Sequence, residues 1–236
     1  MLGAQGELEM NIDMLIANMR TSLASIESKC GAILYSSRTT LKPGAFYLLG
    51  LNPGGEEGPT IGQELGHLHD YRGNAYLDED WSTEDRHYGP GGHPLQRHLI
   101  ALFNALGHNL RDVCAANLIF TRSVNQNGAG YRQNANLCWP VHREIIRIVK
   151  PSVILAFGNG AVSPFSYIRD LDARTHGCCS VEGSSIPARF HNWECKAFRT
   201  DIDGHPVLVV GLPHLSRYNP VKHPEVIKWI QDLITQ

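Results

Sequence analysis

Hydrophobic positions along the chain follow two rhythms that alternate. Leu8, Ile12, Leu15, Ile16, Met19, Leu23 and Ile26 recur every three or four residues, which predicts an amphipathic helix over about residues 8–28. Pro43-Gly44 then breaks the chain, and Ala45-Phe46-Tyr47-Leu48-Leu49-Gly50 follows as an unbroken apolar run of the buried-strand type. From residue 54 to 92 no period is sustained, and Gly58-Pro59, Gly89-Pro90 and Gly91-Gly92 mark loops. Pro94 opens a helix with Leu95, Leu99, Leu102, Phe103 and Leu106 on one face and Gly107 as its stop. Residues 113–117 read as a second strand, possible as far as Phe120. Trp139, Val141, Ile145, Ile148 and Val149 mark a helix that ends before Pro151. Residues 153–157 form a third strand, stopped by Gly158-Asn159-Gly160, and residues 171–193 read as irregular. Residues 194–199, Asp203-Gly204 and residues 206–211 predict a hairpin whose second arm is the fourth core strand. Pro224, followed by Val226, Ile227, Ile230, Leu233 and Ile234, opens a closing helix.

Strands that alternate with helices predict an α/β fold, a three-layer α/β/α arrangement around a mostly parallel four-stranded sheet. A length of 236 residues suits one substantial core. The expected organisation is a single domain over 1–236, with a helical N-terminal extension (1–42) and a core (43–235).

Composition narrows the function classes. No apolar stretch approaches the ~20 residues that span a bilayer, so no membrane partner is expected. The first 13 residues carry Glu7, Glu9 and Asp13 and no Lys or Arg, unlike a signal peptide, and a cytoplasmic location is expected. The six cysteines contain no C-x-x-C pair, and the adjacent Cys178-Cys179 is not a zinc spacing. His67, His69, His87, His93 and His98 lack the carboxylate spacing that would complete a metal site, so no metal and no cofactor are expected. The glycines around residue 50 lack the G-x-G-x-x-G spacing of a dinucleotide site. A net charge of −2 does not mark a basic nucleic-acid binder, although a local basic face would suffice.

The candidate chemistry lies at two strand ends. The first strand runs into Gly50-Leu51-Asn52-Pro53-Gly54, and the last into His214-Leu215-Ser216-Arg217-Tyr218-Asn219-Pro220. In open α/β sheets the carboxyl ends of strands border the ligand crevice, so an Asn and a His delivered there can face one substrate.

These two motifs resemble those of the uracil-DNA glycosylase superfamily, most closely its single-strand-selective monofunctional group, whose motifs read G-M-N-P-G and H-P-S-P-R-N-P. The likeness covers about residues 43–235 in element order, and Phe157-Gly158-Asn159-Gly160-Ala161 also resembles the family. It implies hydrolysis of the N-glycosidic bond of uracil or another deaminated base in DNA, with no obligate protein partner. On that resemblance Asn52 and His214 are catalytic, and Gly50, Leu51, Pro53, Gly54, Asn117 and Ser216 bind substrate. Arg217 and Tyr218 form a wedge that fills the stack vacated by the flipped nucleotide. The chemistry agrees: an Asn amide oxygen can hold a water, an imidazole can donate to a departing base oxygen, and an Asn amide can pair with a pyrimidine edge. The chain departs from the family pattern at Leu215, where the motif has Pro. It departs again at Leu65, in the region where the family places its stacking Phe, which leaves Tyr71 or Tyr76 as substitutes. Glu56-Glu57 beside the first motif would repel a phosphate. Two alternatives follow: a binding protein of the same fold without efficient cleavage, and a hydrolase of small nucleosides.

Overall fold

In the computed structural model, residues 2–83, 85–123, 128–176 and 183–236 are described. Cys178 and Cys179 lie outside them. The chain is α/β with a mixed central sheet of six strands. In chain order the elements are α1 (Leu2–Leu23), β1 (Phe46–Gly50), α2 (Ile61–His67), β2 (Trp81–Ser82), β3 (His87–Tyr88), α3 (Pro94–Ala105), β4 (Cys114–Asn117), α4 (Gly128–Val149), β5 (Val153–Phe157), α5 (Pro164–His176), β6 (Ser184–Pro187), β7 (Glu194–Ile202), β8 (His205–Leu212) and α6 (Pro224–Thr235).

The sheet order is β4-β1-β5-β8-β7-β6, while β2 and β3 pair only with each other. The four expected core strands, β4, β1, β5 and β8, are mutually parallel. β7 pairs antiparallel with β8 and β6 antiparallel with β7, so the sheet has six strands and not four. The 171–193 stretch is also not irregular throughout. It holds the end of α5 and all of β6, a four-residue edge strand whose side chains alternate between half-buried and exposed.

Because side chains alternate along a strand, each face of the sheet collects its own apolar set. Tyr47, Leu49, Ile154, Val207 and Val209 pack with α1, α4 and α5. Phe46, Leu48, Leu155, Phe157, Leu208 and Val210 pack with α3 and α6. Residues 30–36 run beside β4, where Leu34 bridges Ala116 and Tyr35 N–H donates to Ala115 O at 2.8 Å. Helix starts follow side-chain capping. Thr60 and Gln63 form a reciprocal capping box on α2, and His93 and Gln96 form one on α3, whose first residue is Pro94. No described helix is long and apolar enough to cross a membrane.

Candidate active site

Four parallel strands end together at one edge of the sheet. Gly50 pairs with Asn117 and Phe157 with Leu212 in register. β1 and β8 flank β5, so the loops bearing Asn52 and His214 leave the sheet about 10 Å apart, two strand spacings.

The tightest point of this edge lies over Gly50. A Cβ there would stand 2.1 Å from Asn117 Oδ1 and 2.5 Å from Phe157 Cζ. Only glycine lets the Asn117 amide and the Phe157 ring approach the same spot. Asn117 is 3% exposed. Its amide reaches the Tyr35 hydroxyl, whose pKa burial pushes up to about 12 against the opposing pull of Arg122 and that amide. The Phe157 ring stands edge-on to His214 at 5.7 Å and to Tyr76 at 6.4 Å. The aromatic ring at this edge is therefore Phe157, and not Tyr71 or Tyr76 as the sequence suggested. Tyr71 is tied to Glu79, while Tyr76 is buried behind Phe157.

Asn52 is held through its amide nitrogen. Nδ2 donates to Pro53 O at 2.8 Å, Ser123 O at 3.1 Å and Ser123 Oγ at 3.2 Å. Two carbonyl acceptors settle which end of the amide is nitrogen and leave Oδ1 without a donor among the described residues. The loop after β4 clamps the motif further, since Ser123 N–H donates to Pro53 O and Arg122 Nη1 to Gly54 O at 2.6 Å.

His214 is held by its own turn. Ser216 N–H donates to Nδ1 at 3.3 Å, and the Ser216 hydroxyl lies 2.8 Å from the same nitrogen. With Nδ1 accepting, the neutral ring carries its proton on Nε2. Burial by its neighbours, then the charges of Arg217 and His93, push the His214 pKa below the ordinary value. At neutral pH the ring is an uncharged Nε2–H donor.

Leu51, Phe157, Pro213, His214 and Arg217 line a crevice of about 460 Å³ that continues to Trp193, Glu194 and Lys196. Asn52 and Asn117 are not among its lining residues. Two further cavities lie away from this edge: about 700 Å³ beside Arg143 and His205, and about 520 Å³ between α5 and β6.

The wedge expectation needs correction at Tyr218. Its side chain is 0% exposed, stacks on His223 at 5.5 Å and lies 3.8 Å from Cys195 Sγ. A ring anchored in the core cannot enter a base stack. Arg217 beside it is exposed. Among the described residues no three His, Cys, Asp or Glu side chains form a metal-binding group.

Sequence reasoning did not single out the Phe157 ring beside Asn117, nor Ser123, Tyr35 and Lys196. Phe157 had a usable signal, the aromatic that ends a buried strand just before Gly158. The others act across strands and leave no local signature. No protein-family model and no curated protein matches the chain.

Proposed function

We propose that the protein is a monofunctional DNA glycosylase with the three-layer fold of the uracil-DNA glycosylase superfamily. The observation that carries this reading is the meeting, over Gly50, of the Asn117 amide and the Phe157 ring, with the His214 imidazole against that ring. A planar base extruded from DNA stacks on Phe157 and pairs its edge with Asn117. Water held by Asn52 Oδ1 attacks the sugar C1′ as the bond to the base breaks. The bond electrons pass to the base and collect on its carbonyl oxygen, where the His214 Nε2–H donates. The attacking water loses its proton to solvent, because an amide is too weak a base to take it.

The test is single-turnover formation of abasic sites on oligonucleotides that each carry a different deaminated base. Asn52→Ala and His214→Ala should each slow excision by about two orders of magnitude or more, the cost of losing a positioned water or an oxyanion donor. Wild-type rates in both variants would remove these residues from the mechanism.

The exposed Glu56 and Glu57, directly after the first motif, favour a second reading, a hydrolase of small nucleosides. Such an enzyme would cut free deoxynucleosides with little response to salt.

A further inference from the structure

The two sides of the crevice differ in charge. On the β1 side the chain leaves Asn52 into Gly54-Gly55-Glu56-Glu57, and both carboxylates are exposed. Arg122 stands beside this loop, with Nη1 donating to Gly54 O at 2.6 Å. On the β8 side the crevice walls carry Arg217 and Lys196. Arg217 has no carboxylate partner among the described residues. Lys196 has only Glu194, at the 4.0 Å limit of an ion pair, with both side chains partly exposed. Arg217 is also close enough to His214 to lower its pKa.

From this asymmetry we infer that Lys196 and Arg217 form a phosphate subsite that holds the target nucleotide by the backbone on one flank only. The inference rests on the glycosylase reading and narrows its substrate. The productive ligand is a nucleotide with an internucleotide phosphate on the β8 side, and the opposite phosphate is left to solvent beside Glu56 and Glu57. Arg217 thus acts as a backbone contact and not as a stacking wedge. Glu194 opposes the subsite, so removing its charge strengthens binding. Each phosphate neutralised on a single strand contributes about −0.7 to the slope of log K against log salt. One such contact weakens binding roughly 2.6-fold between 50 and 200 mM salt.

Fluorescence anisotropy with a labelled single-stranded pentamer bearing a central deoxyuridine reads these slopes. Replacing Lys196 and Arg217 together by Gln should flatten the slope by about 0.7, each single Gln variant should remove part of that, and Glu194→Gln should tighten binding at low salt. An uncharged methylphosphonate in place of one flanking linkage should reproduce the loss, and in place of the other should change nothing. A pentamer that is bound and cut, with slopes unchanged in both Gln variants or with equal loss from either methylphosphonate, overturns the one-sided subsite and leaves the glycosylase reading standing. Binding of free deoxyuridine as tightly as the pentamer also overturns it and transfers the site to nucleosides. A wild-type protein that neither binds nor cuts any of these ligands overturns both.

Discussion

The two halves of the candidate site are held in place by opposite means. His214 is oriented by Ser216, two residues away, in a turn that closes on itself. Asn52 and Asn117 are oriented from far along the chain. The Asn52 amide is tied to Ser123, 71 residues on. Next to Asn117, the Leu118 carbonyl is 3.0 Å from His142 Nε2, whose Nδ1 is 2.7 Å from the Tyr47 hydroxyl of β1, 95 residues from it. Both Tyr47 and His142 are fully buried. The donor half of the site is therefore a local motif, while the water-and-base half depends on the packing of β1, β4 and α4.

This contrast can be broken from either side, and the largest effect is expected at His142. His142→Leu strands the Leu118 carbonyl and the Tyr47 hydroxyl in the core without partners, which should cost about 2–5 kcal/mol in denaturant unfolding. A shift below 1 kcal/mol would show that the long-range half does not depend on this link. The same residue sets a pH window. Burial lowers the His142 pKa to about 4 from the ordinary imidazole value of 6.5. The unfolded chain therefore takes up a proton that the folded one refuses. Stability should fall as pH drops from about 6.5 through 4, by up to about 3 kcal/mol, and this part of the fall should vanish in the Leu variant.

Gly50→Ala should come next. Its methyl would overlap Asn117 Oδ1 and the Phe157 ring, and overpacking of this kind costs about 1–3 kcal/mol. On the glycosylase reading, base excision should fall by a larger factor than stability implies, because the displaced groups are the ones proposed to receive the base. Thermal melts and single-turnover rates measured on one preparation separate the two effects. Equal melting temperature and equal rate would mean that the edge over Gly50 is not the base site.

The smallest effect is expected on the local side. Ser216→Ala removes one partner of His214 Nδ1 and leaves the Ser216 backbone N–H in place. Excision should slow about tenfold, with little change in melting temperature, since one neutral hydrogen bond is worth about 1 kcal/mol. A loss as large as that of His214→Ala would show that the turn alone cannot hold the ring.

The same division explains what could be read from the chain. The four parallel strands were legible because each is an apolar run stopped by Gly, Asn or Pro, and the His214 turn because its partners are neighbours in sequence. β6 was not legible, since Ser184-Ser185-Ile186-Pro187 is a short polar edge whose pairing exists only beside β7. Ser123 and His142 look like ordinary polar residues until the sheet brings their partners to them. Tyr218 misled for the opposite reason. It sits in a polar loop, and Cys195 and His223, which surround its ring, lie on other segments.

That buried tyrosine also bears on how a ligand is met. From His214 to Tyr218 the chain goes out and in, with Leu215 and Tyr218 both sunk in the core and only His214, Ser216 and Arg217 left facing outward. A loop pinned at Leu215 and again at Tyr218 loses its conformational freedom when the protein folds and has little left to lose on association. The imidazole and the guanidinium thus form a prearranged surface, and on the glycosylase reading whatever rearrangement recognition requires falls to the nucleotide.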